Sequence, residues 1–335
     1  MDIATHALTS LALARGFFPR RRWPIVAGMI VAGTLADADL ASMLLGPAAY
    51  FAGRRTFTHS ILGTVVVVAI AAALAFVWNG KKREAPALRD ILLASSCAAV
   101  LHVVMDSCTS DGVELLWPGP GTRFAADWVA GVDPWILLLL LAGILLPEVF
   151  RLVSSEIGAK DKAPRGRNGA IVALALLVIY VGARAMLHGN AVAMLEPHTY
   201  RGESPRRIGA FAEPLTMLTW RGVVETQSNV CLISVPVTGG GHFDPELRVC
   251  LHKPEDSAVL EAAEKTRVAE EFVHVARFPR AAVDKTQDGY EVSIRDVRDL
   301  AEEETRGRVA AQILLDGNFK VQSERFVWAS EVRLR

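Results

Sequence analysis

Apolar residues in the first 190 positions run in blocks too long for strands and too unbroken for half-exposed helices. Residues 61–78 read ILGTVVVVAIAAALAFVW, 88–105 LRDILLASSCAAVLHVVM, 135–150 WILLLLLAGILLPEVF and 169–187 GAIVALALLVIYVGARAML. Each approaches the ~20 residues that cross a bilayer as a helix. Residues 3–18 and 24–46 form two weaker blocks, the second interrupted by Asp37 and Asp39. Buried helices of a large soluble protein are the alternative reading. Four such blocks crowded into residues 61–187 argue instead for a polytopic membrane domain of about six helices. His6 interrupts the start of the first block, its arginines follow the apolar part, and no small-x-small cleavage site comes after. That block therefore reads as a retained helix rather than a signal peptide.

Beyond residue 190 the period changes. Alternating runs occupy 221–237, 247–253, 271–283, 289–297, 308–316 and 319–328, which predicts five or six antiparallel strands. Residues 256–272 predict a helix, DGN at 316–318 a hairpin turn, and 198–207 an exposed linker or early loop. The expected fold is thus an α-helical polytopic membrane domain over 1–190, followed by a soluble α+β, mainly antiparallel β domain over 191–335. Cys231 and Cys250 stand in successive strand candidates. They can pair in an oxidising compartment or remain as core thiols. The glycine-rich stretch TGGGHFDP, 238–245, lacks the Lys-Ser/Thr and helix of a phosphate loop, and its His242 reads as a surface residue.

Composition sharpens this picture. The chain has 335 residues, 51% of them hydrophobic, with zero formal net charge. Mean hydropathy is +0.29. The neutral balance argues against nucleic acid as a partner, because phosphate binding usually leaves a basic excess. Basic residues are placed unevenly: Arg20, Arg21 and Arg22, then Lys81, Lys82 and Arg83, then Arg151, Lys160, Lys162, Arg165 and Arg167 fall in alternate loops. The intervening loops hold only Arg54, Arg55 and Arg123. The positive-inside rule then sets both termini and the C-terminal domain outside the cytoplasm.

On that topology the unusual polar residues fall on one membrane face. MDIATH begins the first helix from outside, GTLADADL sits in the outer half of the second, RRTFTHS opens the third, and LHVVMD ends the fourth. His102 and Asp106, at i and i+4, point the same way on a helix. Imidazole and carboxylate are ligands for Zn²⁺, Mn²⁺ or Fe²⁺. Ionisable groups this deep are costly unless paired, metal-bound or facing water. Asp2, His6, Asp37, Asp39, His59, His102 and Asp106 together supply enough donors for two ions. Taken singly each has a plainer role: His6 as an interfacial polar residue, DADL as a helix end, His59 as the neighbour of a Thr58 or Ser60 cap. Thr109 and Asp111 suit second-layer partners, Asp133 an extra ligand or a helix cap, and Cys108 a small hydrophobe or soft ligand.

The ordered set MDIATHALTS, AGTLADADL, RRTFTHSIL, LHVVMDSCTSDGVELLWP and VDPWILLLL resembles the membrane-bound metal-dependent hydrolases, also called LexA-binding, inner-membrane-associated or YdjM-like proteins, over residues 1–190. That family is distantly similar to zinc-dependent phospholipase C and the fungal single-strand nucleases. They use an ordered His, Asp, His, HxxxD ligand set to cleave phosphoesters. The resemblance implies His6 as the first His, Asp37 or Asp39 as the Asp, His59 as the second His, and His102 with Asp106 as the last pair, Asp106 bridging. A further His and a second His-xxx-acid pair have no counterpart, since the next histidines are His188 and His198, past the last predicted helix. One or two ions are therefore implied, zinc first. The family pattern His-Arg-x-x-Thr-His-Ser is met by Arg55, while Arg54 replaces its His.

Arg55 fits an anion on the substrate or an interfacial ion pair. Asp37 or Asp39 fits a general base. These expectations converge on a metal-dependent hydrolase of the bacterial inner membrane, acting on a phosphoester or lipid-linked substrate at the outer face. A membrane adaptor that binds a protein partner is the alternative. An ion transporter fits less well, because the ionisable residues cluster at one face rather than tracing a path across.

Overall fold

The computed structural model describes residues 1–18, 23–79, 86–119, 121–156, 166–237, 243–246, 248–298 and 308–331. The basic residues Arg20–Arg22, Lys81–Arg83, Lys160, Lys162 and Arg165, and His242 in the glycine-rich stretch, lie outside them.

Asp2 starts the first helix, α1 (Ile3–Phe17), by accepting the Thr5 backbone N–H at 2.9 Å and the Thr5 hydroxyl at 2.5 Å. Fifteen residues at 1.5 Å each make α1 about 22 Å long, short of the hydrocarbon thickness. Helix α2 (Trp23–Leu35) passes directly into a 3₁₀ stretch, Ala36–Leu45, which carries Asp37 and Asp39. After α3 (Pro47–Gly53) come a three-residue 3₁₀ turn, Phe57–His59, and then α4 (Ile61–Asn79), α5 (Leu88–Ser107), α6 (Pro134–Glu156) and α7 (Arg167–Leu195). Five spans among the described residues are long and apolar enough to cross a membrane: Trp23–Leu45, Ile61–Trp78, Leu88–Ser107, Pro134–Leu152 and Arg167–Leu195. His188 lies inside α7 rather than past the last helix, because that helix runs to Leu195.

These helices are built for lipid. On α4 the buried positions are Gly63, Val67, Ala71, Ala72 and Ala75, while Ile61, Leu62, Val65, Ile70, Leu74, Val77 and Trp78 face outward. Small residues let the helices approach: a Cβ on Gly143 of α6 or Gly169 of α7 would run into the other helix. Two apolar clusters result. One joins α1, α2, α4 and α5 through Ala14, Met29, Ala71, Ile91 and Ala98. The other joins α1, α5, α6 and α7 through Ala12, Met105, Ile136, Leu140 and Leu177, and includes the buried Cys108. Helices α1 and α5 belong to both, so whatever they carry at their polar ends is held from two sides.

Chain contacts divide the protein into two compact units, one of Met1–Asp39, Arg55–His188 and Ala212–Met217, the other of Leu40–Arg54, Gly189–Phe211 and Leu218–Arg335. Residues 40–54 thus go with the second unit, where Phe51 stacks on Phe272 and Phe326, with centroids 5.6 and 4.6 Å away. No polar-apolar period in so short a segment announces that partnership.

The second unit holds two four-stranded antiparallel sheets, β1 to β4 (Arg207–Ala212, Thr219–Glu225, Asn229–Pro236, Arg248–His252) and β5 to β8 (Pro279–Lys285, Gly289–Asp296, Val309–Asp316, Val321–Trp328), each in sequential order. The run at 221–237 is a hairpin rather than one strand, closed where Thr226 N–H donates to Asn229 O at 2.9 Å. Strand β1 takes the end of the stretch expected to be linker. The expected helix over 256–272 is two, α8 (Ala258–Glu264) and α9 (Arg267–Val275), and α9 overrides the start of the strand expected from 271. Ser257 and Thr266 cap them, and Thr266 restarts the helix by accepting from the Ala269 N–H at 3.3 Å.

Cys231 and Cys250 are opposite one another on β3 and β4 and form a disulfide, so the alternative of two free thiols is set aside. The bond closes a loop across a sequence separation of 19. Cys231→Ser with Cys250→Ser is expected to cost about 3 kcal/mol in the second unit by the loop-entropy relation, read as a lower unfolding midpoint that reductant no longer shifts.

Asp296 supplies a pH dependence. Burial alone would raise its carboxyl, but the Arg298 guanidinium at 2.9 Å and N–H groups of Arg298 and Arg277 outweigh burial and hold it below the ordinary range. A carboxyl lowered in the folded state gives stability that is present above its unfolded value, about 4, and lost as pH falls through the folded one. Thermal unfolding stepped downward from about pH 4 is expected to show a falling midpoint in the wild type and a flatter one in Asp296→Asn.

Candidate metal centre

Four elements deliver one polar cluster. His6 stands on the first turns of α1, Asp37 on the 3₁₀ stretch after α2, His59 on the turn before α4, and His102 with Asp106 one turn apart near the end of α5. All are buried, none more than 5% exposed. Donor atoms of His6, Asp37, His102 and Asp106 all lie within 4.8 Å of one another.

The orientations are set by neighbours. His102 Nδ1 lies 2.8 Å from the Gly33 carbonyl oxygen, which only accepts, so Nδ1 carries the proton. That leaves His102 Nε2 turned inward, 3.1 Å from His59 Nε2, 3.5 Å from Asp106 Oδ2 and 4.0 Å from Asp37 Oδ1. Helices α1 and α2 approach closely at Gly33, where a Cβ would run into Ser10 Oγ unless that hydroxyl turned aside. The His6 ring stacks on His102 with centroids 3.8 Å apart, and its Nε2 lies 3.2 Å from Asp106 Oδ1. His59 Nε2 is 2.9 Å from Asp106 Oδ2 and 4.0 Å from Asp37 Oδ1. Asp106 is the hub, meeting His6, His59, His102, the Met1 amino group and Arg55 Nη2, the last at 3.3 Å.

Arg55 has a backbone φ of 54°, unusual for a residue with a side chain. Its amide donates to Asp39 Oδ2 at 2.7 Å, and its carbonyl accepts from Glu114 N–H at 3.0 Å. Its guanidinium reaches Thr109 Oγ1 at 2.8 Å, with Asp111 at 3.9 Å. Thr109 and Asp111 therefore both flank the Arg55 guanidinium.

Other residues singled out from the sequence stand elsewhere. Both Asp2 oxygens turn to Thr5 as the α1 cap. Asp39 Oδ2 is 3.4 Å from His59 Nδ1, on the side of that ring away from Asp106. Asp133 caps α6 through the N–H groups of Trp135 and Ile136 and accepts from Tyr180 Oη at 3.0 Å. Arg54 sits in the other unit, its guanidinium over the Tyr50 ring at 5.2 Å. Gly33 was not legible as a site residue, since a carbonyl acceptor leaves no pattern in the chain.

Two imidazoles and two carboxylates offer nitrogen and oxygen donors of the kind that zinc, manganese and iron take. His6 Nδ1 and Asp37 Oδ2 are buried with no hydrogen-bond partner among the described residues. Such groups are costly when nothing compensates them. The residues fit a divalent ion.

The family described as YdjM inner membrane protein matches residues 1–191 of this chain. No curated protein and no solved structure matches.

Proposed function

We propose that this chain, which belongs to the YdjM inner membrane protein family, is a metal-dependent hydrolase embedded in the inner membrane that acts on a phosphoester or lipid-linked substrate at the outer face. The convergence of His6, Asp37, His59, His102 and Asp106 from four elements onto one buried point supports this reading most strongly. His6, Asp37, His102 and Asp106, with His59 beside them, would hold one or two ions, zinc first and manganese or iron next. A bound divalent ion supplies Lewis acidity and a water acidic enough to act near neutral pH.

The chain's own groups divide the remaining work. Asp106 balances the charge of the donors around it. Arg55 offers a guanidinium to an anionic oxygen, in the fork geometry suited to phosphate. Asp37 Oδ2, buried with no hydrogen-bond partner among the described residues, would serve as the acceptor for a proton from a nucleophilic water. The order His, Asp, His, HxxxD in this chain parallels that of zinc-dependent phospholipase C, which is what favours a phosphoester. Turnover of a water-soluble phosphodiester and of phospholipid in mixed micelles by the zinc-loaded protein tests the reaction. Release of product that a chelator stops is expected; no release from either, with metal bound, counts against a phosphoester.

The basic loops and the Cys231–Cys250 disulfide together favour an extracytoplasmic second unit. Protease added to sealed right-side-out vesicles is expected to remove the second unit, and to spare it in inverted vesicles. The reverse pattern would put the site on the cytoplasmic face and favour an adaptor.

A further inference from the structure

We infer that the Phe57–Trp117 pair seats the acyl chain of a lipid whose phosphate meets Arg55, the lipid arriving from the leaflet at the metal centre's end of the helices. This rests on the reading of Arg55 as the partner of an anionic oxygen, and it narrows the substrate to an amphiphile.

Loops at a water boundary are normally polar. The loop that follows α5 is not. Leu116, Trp117 and Phe124 are exposed on it, and Phe57 is exposed on the turn before α4. The Phe57 and Trp117 rings meet edge to face, with centroids 5.2 Å apart. Exposed apolar groups gathered in this way mark a surface that something apolar covers. Lipid is that cover, because the patch continues a face already turned to it. The Leu115 carbonyl accepts from the Ile61 N–H at 3.0 Å, where α4 starts and where Ile61, Leu62 and Val65 point outward. Tryptophan also favours the depth at which headgroups meet chains.

The backbone suits that depth. Irregular chain is kept out of lipid unless its polar groups are met within the protein. Here Val113 N–H donates to Phe124 O at 3.1 Å, and Phe124 N–H returns the bond to Val113 O at 2.9 Å. Trp117 N–H donates to Glu114 O at 3.5 Å and Gly119 N–H to Leu116 O at 2.7 Å.

The same bonds tie the patch to the arginine. Glu114 N–H donates to Arg55 O at 3.0 Å, and Trp117 folds back onto Glu114. Phe57 stands two residues after Arg55. The guanidinium itself is held by Thr109 Oγ1 at 2.8 Å and Asp106 Oδ1 at 3.3 Å. A cationic fork for a phosphate and a ring pair for its chain thus belong to one short stretch of backbone. A water-soluble phosphoester would use the first and leave the second bare.

The test reads Trp117 fluorescence in full-length, metal-free protein in detergent micelles. It is taken as wild type minus Trp117→Phe, because the chain holds seven tryptophans. Two lipids with brominated chains, which quench an indole on contact, are titrated in: a phosphatidic acid and a phosphatidylcholine. Both are expected to quench Trp117, the phosphatidic acid at a mole fraction about fivefold lower, as one arginine near an anionic headgroup gives. That preference is expected to vanish in Arg55→Met, or in Arg55→Gln should the first not fold. No quenching of Trp117 would overturn the inference. Equal quenching by the two lipids would do so as well, leaving a loop that only anchors in lipid. A preference that survives in the folded Arg55 variant would be equally fatal. Catalysis plays no part in this readout, so absence of phosphoester turnover by the zinc-loaded wild type would remove the hydrolase reading and leave the lipid seat standing.

Discussion

Asp106→Asn is expected to lower phosphoester turnover by about 10³-fold or more, since an ion at such a site contributes several kcal/mol to transition-state stabilisation. Asp106 touches His6, His59, His102, Arg55 and the Met1 amino group with side-chain exposure of 0%. The amide keeps the shape and removes the charge, so a buried set of nitrogen donors loses its central carboxylate. Breaking a buried ion pair costs roughly 3–5 kcal/mol when the remaining charge is left alone. Arg55 retains Thr109 at 2.8 Å and Asp111 at 3.9 Å, so the lower end of that range is expected. Steady-state kinetics beside thermal unfolding separates the two effects. Turnover within tenfold of the wild type would remove Asp106 from the chemistry.

Gly63→Ala is expected to damage the site from outside it. Gly63 lies in the first turn of α4, where its N–H donates to Ser60 Oγ at 3.0 Å. A Cβ there would overlap the Phe57 carbonyl oxygen and crowd the Thr58 backbone. Phe57 and Thr58 belong to the three-residue turn that ends in His59, so the turn must move and the imidazole with it. Backbone cannot swing aside as a flexible side chain can, which puts the cost at or beyond the upper end of the roughly 1–3 kcal/mol typical of overpacking. Gly182→Ala is the control: on α7 a Cβ meets nothing within 4 Å, and the exchange should be neutral or slightly stabilising. Paired measurements of unfolding midpoint and turnover check both, with loss confined to Gly63→Ala.

The membrane part was legible because lipid imposes a coarse rule: long apolar helices, outward Leu, Ile and Val, and inward Ala and Gly. His6, Asp37, His59, His102 and Asp106 stood out against that background because each is expensive there. The roles of Asp2 and Asp39 were harder to read. An aspartate that caps a helix, or stands behind an imidazole, has the same letter and a similar place in the chain as one that holds a metal. The Thr5 contacts of Asp2 and the Arg55, Thr58 and His59 contacts of Asp39 are what the letters alone do not record.

In the second unit, alternation marked most strands but misled at 271–275. There Phe272 faces inward with Ala269 on an amphipathic helix, and Thr266 decides the matter by capping it. Strand β1 and the partnership of Phe51 with Phe272 and Phe326 depend on tertiary neighbours that no local pattern records.

The most direct measurement is metal content by mass spectrometry on the purified full-length protein, wild type beside His102→Ala, after zinc loading and removal of loosely held ions. About one or two ions per wild-type chain, falling well below half in the folded variant, is the expected result. No metal in the wild type, or the same content in both, would contradict a metal centre built on His6, Asp37, His59, His102 and Asp106.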